Sequence, residues 1–221
     1  MSQIILFDVN ETLLDLRALR PLFEQFFGDS AVLPAWFAQL LRSAMVATIT
    51  GQYHDFGTIG RDALQMTAER QGIPLTPDNQ DEILAKMRNL PPHPEVPPSL
   101  DRLKKAGRRL STLTNSPPWV QEEQLAYAGL TQFFEQTLSV HPLRRFKPAP
   151  ETYRHAAQQL GVSLPNICMV AAHNWDIAGA QAVGCATAFI ARPGMVLGPL
   201  QQKPDIIGAD LASVTDQILA F

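Results

Sequence analysis

An aspartate follows the first apolar run of the chain. Ile4–Phe7 is a continuous segment rich in β-forming residues, and Asp8 stands directly after it, ahead of polar and turn-forming residues. Such a run is typical of a strand that is buried on both faces of a parallel sheet. Ligands bind just beyond the carboxyl ends of these strands, so Asp8 is a candidate for chemistry. A lone aspartate there is also an ordinary helix cap, and further residues are needed to decide.

Three more polar clusters follow apolar runs later in the chain. Thr114 and Asn115 precede a proline-started helix, where short polar side chains and free N–H groups suit an anion. Lys147 stands just before a proline and is a candidate partner for the first aspartate. His173 and Asp176 form the last cluster. Ordinary alternatives stay open, because such residues are also helix caps, solvated charges or packed histidines.

Helical and extended patterns must bring these clusters together. A proline-rich connector at 91–98 reads as a stiff segment that is hostile to helix, and after it predicted helices and strands alternate, as in a doubly wound parallel sheet. This pattern predicts an α/β fold with a Rossmann-like core. The predicted strands cover 109–113, 136–140, 167–170, 186–190 and 205–207, and the predicted helices cover 99–106, 119–128, 150–160, 176–183 and 211–219.

Helical patterns alone fill the chain between the first predicted strand and the connector. Because no strand separates these helices, they cannot belong to a regular alternation of strands and helices. They predict a helical cap domain over 16–90, inserted into a core domain made of 1–15 and 91–221. The four predicted cap helices cover 14–27, 33–50, 58–71 and 78–90.

Composition restricts the classes of partner and compartment. The 221 residues are 46% hydrophobic, which is enough for a full core, and a net charge of -3 without a long basic run offers no surface for nucleic acid. Cys168 and Cys185 lie in apolar surroundings and fit reduced core thiols. The N-terminus lacks signal-peptide features, and no apolar run reaches membrane-spanning length. We therefore expect a cytoplasmic protein without nucleic-acid or membrane partners.

In their order and spacing, the four clusters together resemble the motif signature of the haloacid dehalogenase superfamily. The resemblance implies a nucleophilic aspartate that attacks carbon or phosphorus, and a covalent intermediate that water then hydrolyses. It covers nearly the whole chain. The matching residues are Asp8 and Thr12 in the first motif, Thr114 and Asn115 in the second, Lys147 and Pro148 in the third, and Asp176 in the fourth.

The residues around the nucleophile indicate which electrophile it attacks. Phosphatases of the superfamily carry a second aspartate two residues after the first and hold magnesium with further acids. Here Asn10 takes the second position and cannot transfer a proton at neutral pH, while Ala172 and His173 stand where further carboxylates are common. A halide departs as a stable anion and needs neither an acid nor a metal. This comparison favours dehalogenation without a metal or another cofactor.

Finer features resemble the type II, or L-2-haloacid, dehalogenases. Tyr153 lies six residues after the motif lysine, and Trp175 precedes the motif aspartate, as in that branch. The segment 51–56 resembles part of its cap. This likeness implies that Leu41, Phe56 and Trp175 form walls around the apolar part of the substrate. Ordinary core packing is an equal alternative for these three residues.

The resemblance implies a two-step hydrolysis of small (S)-2-haloacids. Asp8 displaces halide from the carbon next to the carboxylate, and water cleaves the resulting ester. Lys147 keeps Asp8 ionised, Thr12 orients it, and Asp176 supports Lys147 or the hydrolytic water. The substrate carboxylate is assigned to Thr114 and Asn115 with backbone N–H groups. The other residues assigned to substrate contact are Asn10, Phe37 and Tyr153.

Several residues depart from the branch and leave the substrate open. Phe37 stands where the dehalogenases carry an arginine that helps to receive halide, and Glu11 replaces a glycine. Asn10 replaces an aromatic residue. Ala171 and His173 replace a serine and an asparagine, and an imidazole could take over water activation because its pKa lies near neutrality. A phosphatase of the same fold and a non-catalytic ligand-binding homologue are the alternatives, and the likeness leads us to expect a homodimer.

Overall fold

One parallel sheet forms the centre of the protein. The computed structural model describes residues 4–220, so residues 1–3 and 221 of the predicted core domain lie outside the described part. In that part six strands pair in the order β3-β2-β1-β4-β5-β6, all in parallel, and the predicted doubly wound α/β fold is confirmed. The strands are β1 (Ile4–Phe7), β2 (Arg109–Thr114), β3 (Gln136–Ser139), β4 (Ile167–Ala171), β5 (Ala186–Ile190) and β6 (Ile206–Gly208).

Helices cover the faces of the sheet and fill the insertion after β1. Three predicted elements, the strand at 4–7, the helix at 150–160 and the strand at 186–190, have the predicted bounds, and most others differ by one to three residues at an end. The α-helices of the described part are α1 (Arg20–Phe27), α2 (Val32–Thr50), α3 (Phe56–Gln71), α4 (Pro77–Arg88), α5 (Val96–Lys105), α6 (Pro118–Tyr127), α7 (Pro150–Leu160), α8 (Asn174–Ala182) and α9 (Leu211–Ala220).

The single helix predicted over 14–27 was wrong. Leu14 forms backbone bridges with Asn10 and Pro92 and is not helical. A short 3-10 helix, Leu16–Leu19, follows it, and α1 begins only at Arg20. The prediction treated a continuous helical spacing of apolar residues as one helix, although the backbone of its first turn is committed to tertiary pairing.

The stiff connector predicted over 91–98 was wrong at its carboxyl end. Helix α5 begins at Val96, and Pro97 and Pro98 lie in its first turn. The first N–H groups of a helix have no partner within the helix, so proline is tolerated there and its fixed φ favours the start. The remaining part of the connector is the non-helical segment before Val96.

Two connecting segments join the inserted helices to the sheet, and they pair with each other. The Asp15 N–H donates to the Pro91 carbonyl over 2.8 Å, and the His93 N–H donates to the Leu13 carbonyl over 3.0 Å. The helices between these segments are α1 to α4. The two crossings of the chain are therefore adjacent, as a cap that moves against the core would require.

Helix α2 corrects the expectation that no run reaches membrane-spanning length. By length and composition alone it could cross a membrane, a criterion that the buried core helices of other proteins also meet. One face of α2 packs into the protein, with Trp36, Leu40 and Ala44 almost fully buried. This is the position of a core helix, and the charged Arg42 lies on the same helix.

The sheet brings three of the predicted clusters to one edge. Strand β1 lies between β2 and β4, and Phe7 is in register with Thr112 and Val170. Because the strands are parallel, the residues that follow each of them meet at the same edge. Cys168 and Cys185 are both buried and form no disulfide, as predicted.

Candidate active site

Asp8 shares its two carboxylate oxygens among three donors. Oδ1 accepts a hydrogen bond from Lys147 Nζ at 2.9 Å. Oδ2 accepts one from the Thr12 hydroxyl at 2.6 Å and lies 3.0 Å from His173 Nδ1. The side chain is almost fully buried at the end of β1. Four of the five predicted catalytic residues thus meet at one carboxylate, and the fifth, Asp176, is connected to it through Lys147.

Lys147 occupies the space between two carboxylates. Its Nζ lies 2.9 Å from Asp8 Oδ1 and 2.7 Å from Asp176 Oδ2, and it donates to the Leu113 carbonyl at 2.7 Å. The three protons of the ammonium are therefore all used. The Lys147 backbone N–H donates to Asn115 Oδ1 at 2.9 Å, which fixes the loop that carries the lysine.

These contacts set the charge of the nucleophile candidate. Burial by itself raises the pKa of Asp8, but the Lys147 ammonium and the hydrogen bonds from His173 and Thr12 outweigh it and hold the pKa far below its usual range. Burial lowers the pKa of Lys147, whereas the charges of Asp176 and Asp8 raise it above the ordinary value. Asp8 is a carboxylate and Lys147 an ammonium at neutral pH.

Asp176 accepts a hydrogen bond from Lys147 and another from Tyr153. The Tyr153 hydroxyl donates to Asp176 Oδ1 at 2.6 Å. Burial raises the pKa of Asp176 and the nearby lysine opposes this rise. Tyr153 is 0% exposed and its hydroxyl is engaged with Asp176, which is a positioning contact, while its predicted contact with substrate stays a prediction.

His173 bridges two carboxylates. Its Nδ1 lies 3.0 Å from Asp8 Oδ2 and its Nε2 lies 2.9 Å from Glu11 Oε2. Ionised carboxylates only accept hydrogen bonds, so both ring nitrogens must carry protons. Burial lowers the pKa of His173, but the hydrogen bonds that it donates to Asp8 and Glu11, together with their negative charges, raise it to about 10. In the free enzyme this imidazolium cannot take a proton from water, and the suggested water-activating role of His173 stays a prediction.

Glu11 is a site residue that sequence reasoning did not assign a role. Its backbone adopts φ 61°, in the left-handed region that favours glycine. This conformation directs the carboxylate toward His173. The sequence did contain a signal, a glutamate where the resembling family has a glycine, four residues after the end of β1, but no partner for its carboxylate was evident there.

Aromatic rings surround His173. The ring centroids of His173 and Trp175 are 4.8 Å apart, and those of His173 and Phe37 are 6.3 Å apart, both in stacked orientations. Phe37 belongs to α2, so this stack joins the inserted helices to the sheet edge. Lys147 Nζ lies 5.9 Å from the Trp175 ring centroid, within the range of a cation–π contact.

A cavity of about 350 Å³ lies beside this stack. Its volume is in the range of small-molecule sites. The predicted wall residues Leu41 and Trp175 both contribute to it, as does Phe37. Its lining is mostly apolar, with the Glu11–His173 pair as its charged part; the lining residues are Glu11, Pro34, Phe37, Ala38, Leu41, Ala172, His173, Asn174, Trp175, Gly194, Met195 and Val196.

Phe56 and Asn10 lie apart from that cavity. Phe56 lines a different cavity of about 240 Å³ between the inserted helices and α6, and its ring centroid is 5.9 Å from that of Phe146. Asn10 Oδ1 accepts from Gln124 Nε2 at 3.0 Å. The predicted wall of three residues is therefore divided between two cavities, with Leu41 and Trp175 at one and Phe56 at the other.

Thr114 and Asn115 are buried at the end of β2. Thr114 Oγ1 accepts from the Ser116 N–H at 3.2 Å, and Asn115 Oδ1 accepts from the Lys147 N–H. Both contacts use acceptor oxygens and organise loops. The predicted role of these residues as donors to a substrate carboxylate stays a prediction.

The fold and the site together define an α/β protein with an ion-paired aspartate at the carboxyl end of its first strand. The chain belongs to the haloacid dehalogenase-like hydrolases, whose family model matches residues 3–184. The predicted superfamily is confirmed.

Similar proteins share nearly the whole length. An (S)-2-haloacid dehalogenase of Pseudomonas sp. (strain YL) is 30% identical, over 96% of this chain and 92% of that protein. Haloacetate dehalogenase H-2 of Moraxella sp. (strain B) is 30% identical, over 91% of each. A crystal structure of an L-2-haloacid dehalogenase superposes with a TM-score of 0.94 at 27% identity and covers 100% of this chain and 99% of that chain. The predicted likeness to type II dehalogenases is confirmed.

Proposed function

We propose that this protein hydrolyses the carbon–halogen bond of small (S)-2-haloacids through an ester on Asp8. The observation that carries the proposal is the state of that carboxylate: it is ionised, buried, and held by a lysine, a hydroxyl and an imidazolium. Similarity to (S)-2-haloacid dehalogenase over 96% of the chain supports the substrate class. Both the site and the likeness point to an enzyme that acts on carbon–halogen bonds.

The first step displaces halide. An Asp8 oxygen attacks the carbon that bears the halogen, the new C–O bond forms as the carbon–halogen bond breaks, and halide leaves with the bonding electrons. The halide needs no proton, which agrees with an Asn10 amide at the position of the phosphatase acid. Phe37 and Trp175 offer apolar and ring-edge contacts near the leaving group but no charge.

The second step regenerates the aspartate. Water attacks Cγ of the ester and the bond between the ester oxygen and Cγ breaks. One water proton ends on the hydroxyl of the 2-hydroxy acid, and the other is released when Asp8 returns to its carboxylate form. Lys147 stabilises that form throughout, because its ammonium lies 2.9 Å from Oδ1.

The two alternatives gain no support from the site. A magnesium-dependent phosphatase would need a cation near Asp8, where the Lys147 ammonium lies between Asp8 and Asp176. Among residues 4–220, no group of three or more His, Cys, Asp or Glu side chains is placed to hold a metal ion. A non-catalytic ligand-binding homologue would not require Asp8 to be held ionised with one oxygen left free to attack, whereas a nucleophile does.

The deciding experiment combines halide release with detection of the ester. Chloro-, bromo- and fluoro-substituted acetates and (S)-propionates are incubated with the enzyme, with and without EDTA, and the intact mass is measured after rapid quenching. We expect halide release unaffected by EDTA and an adduct that maps to Asp8. Phosphate release that EDTA abolishes would promote the phosphatase reading, and ligand binding without any adduct would promote the non-catalytic one.

Two aspartate-to-asparagine substitutions, one at the nucleophile and one at an exposed position, test the assignment of Asp8. The Asp8→Asn protein should lose turnover by about three orders of magnitude or more, because an amide cannot form the ester. Asp62→Asn removes an exposed carboxylate on α3 and should leave turnover unchanged. Equal activity of the Asp8 and Asp62 variants would remove the nucleophile assignment.

The domain boundaries, cellular location and oligomeric state of the protein stay predictions. The cap boundaries at 16–90 stay a prediction, which the paired connectors support. The cytoplasmic location and the homodimer stay expectations from the sequence. Sedimentation equilibrium of the purified protein measures the oligomeric state directly.

A further inference from the structure

We propose that His173 is the oxyanion donor of the ester-hydrolysis step and that Glu11 is the residue that positions it. This inference rests on the proposed function. It assigns to His173 a part in the second half-reaction that is different from taking a proton, and it gives Glu11 a reason to occupy a left-handed backbone position.

The two oxygens of Asp8 are not equivalent. Each carboxylate oxygen has two lone pairs in the plane of the group. Oδ2 accepts from both Thr12 and His173, while Oδ1 accepts from Lys147 alone. Only Oδ1 keeps a lone pair for attack on carbon. Oδ1 therefore becomes the ester oxygen, and Oδ2 becomes the carbonyl oxygen of the intermediate.

The donors at Oδ2 are then in place for hydrolysis. When water attacks Cγ, the electron pair of the carbonyl bond moves to Oδ2 and creates an oxyanion, and the pair returns as the ester C–O bond breaks. An oxyanion site needs donors about 2.7–3.1 Å from that oxygen. The Thr12 hydroxyl at 2.6 Å and His173 Nδ1 at 3.0 Å lie close to this range in the free enzyme.

The charge on His173 acts with opposite sign on the two half-reactions. In the first step negative charge leaves Asp8, so an imidazolium at Oδ2 stabilises the starting carboxylate and cannot accelerate the attack. In the second step negative charge develops on Oδ2, and the same imidazolium stabilises the transition state. Loss of an oxyanion donor should therefore slow only ester hydrolysis, whereas loss of a residue with a purely structural role should slow both steps.

Glu11 keeps His173 in the form that the step requires. Its Oε2 is 2.9 Å from Nε2, so the imidazole donates from both nitrogens and cannot rotate away from Asp8. The charged groups that face His173 are Asp8 from the end of β1, Glu11 from the loop after it, and Lys147 across the Asp8 carboxylate. Helix α2 contributes the uncharged ring of Phe37.

The first test measures the two half-reactions of His173→Gln separately. Glutamine keeps a neutral donor but removes the charge. In single turnovers with a haloacid that the wild-type enzyme processes, we expect ester formation no slower than in wild type and ester hydrolysis slower by about 10²–10³-fold. The adduct on Asp8 should then accumulate in the intact mass. His54→Gln, which changes an exposed histidine between α2 and α3, is the control and should resemble wild type.

The second test uses Glu11→Gln and does not depend on the folding of the His173 variant. Removal of the Glu11 charge should lower the pH at which ester hydrolysis fails on the alkaline side, because His173 then loses its proton more easily. Glu122→Gln, an exposed change on α6, should leave the alkaline limb of the pH profile of ester hydrolysis unchanged. The same unchanged alkaline limb in Glu11→Gln would show that Glu11 does not position His173.

The outcomes distinguish this inference from the proposed function. A wild-type enzyme that releases no halide rejects both. Halide release by wild type, with the two steps slowed equally in His173→Gln and no ester accumulated, overturns the oxyanion assignment alone. Nitrogen-15 NMR of the free protein at pH 7 needs no substrate: two protonated ring nitrogens on His173 are expected, and a neutral ring would overturn the inference by itself.

Discussion

At the scale of single residues, the site depends on how many hydrogen bonds each polar atom can make. Thr12 is fully buried, donates to Asp8 Oδ2 at 2.6 Å and accepts from the Ala172 N–H at 2.9 Å. One hydroxyl thus ties the loop after β1 to the loop after β4. The orientation of the nucleophile and the closure of the sheet edge depend on the same atom.

Thr12→Val and Thr12→Ser separate these contributions. Valine keeps the shape but leaves the Ala172 N–H unsatisfied, so we expect a loss of about 1–3 kcal/mol in the free energy of unfolding, together with a fall in kcat. Serine keeps both hydrogen bonds and should restore most of the stability and activity. Urea denaturation and halide release measure the two effects. A valine variant as active as the serine variant would show that the hydroxyl does not orient Asp8.

The pKa of His173 predicts a stability that depends on pH. Its folded value of about 10 lies above the ordinary 6.5, so the stabilisation is complete below pH 6.5 and is lost as the pH rises toward 10. The upper limit of this loss is on the order of 5 kcal/mol. We expect the free energy of unfolding of wild type to fall more steeply than that of His173→Gln between pH 6.5 and 10, as measured by urea denaturation. Parallel curves would contradict a charged His173.

At the scale of elements, α8 must approach the lysine loop closely for Tyr153 to reach Asp176. A Cβ on Gly179 would lie 2.6 Å from Pro148 Cβ and 2.6 Å from the Tyr153 hydroxyl. The absence of a side chain at this position of α8 allows the helix to bring Asp176 under Lys147. The glycine is a positioning residue although it touches no reacting atom.

Gly179→Ala should therefore weaken both packing and activity. Overpacking at such a contact costs about 1–3 kcal/mol, and the better helix propensity of alanine offsets at most about 1 kcal/mol. We expect a lower free energy of unfolding and a lower kcat with a similar KM. Gly198→Ala is the control, because its added Cβ would meet only ordinary contacts at 3.6 Å or more. Equal effects of both changes would indicate that α8 can shift freely.

At the scale of the whole molecule, the inserted helices and the core meet through a few specific contacts. The Phe146 N–H donates to Thr48 Oγ1 of α2 at 2.9 Å, and the Tyr53 hydroxyl lies 2.8 Å from His141 Nδ1. Tyr53 also stacks on Phe146, with centroids 5.1 Å apart. Phe146 directly precedes Lys147, so the position of the inserted helices is coupled to the catalytic lysine.

Thr48→Val tests that coupling. The buried Phe146 N–H would lose its acceptor, and we expect a cost of about 1–3 kcal/mol in the free energy of unfolding and a reduced kcat. Thr50→Val is the matched control, since the exposed Thr50 hydroxyl donates only to the Val46 carbonyl within α2. Calorimetric unfolding and halide release give the two readouts. Unchanged activity in Thr48→Val would show that the lysine loop does not depend on α2.

The sequence by itself determined the elements and the identity of the central groups. Apolar runs that end in polar residues are local features. They placed Asp8 directly after the first strand and Lys147 in the connector after another, and they predicted the parallel sheet. The order of the motifs then predicted the family. Local patterns were sufficient because a buried parallel strand needs a continuous apolar run, and its carboxyl end is where a polar side chain can reach a ligand.

Only the tertiary structure decided which charged groups contact His173 and which side chains of the site are buried. That His173 is an imidazolium follows from two carboxylates on opposite sides of one ring, and that Tyr153 is buried follows from the approach of α8; neither contact is encoded in local spacing. The separation of Phe56 from Leu41 likewise depends on how α2 and α3 pack over the sheet edge. Charge state and exposure are properties of surroundings, and distant segments supply those surroundings only when the chain has folded.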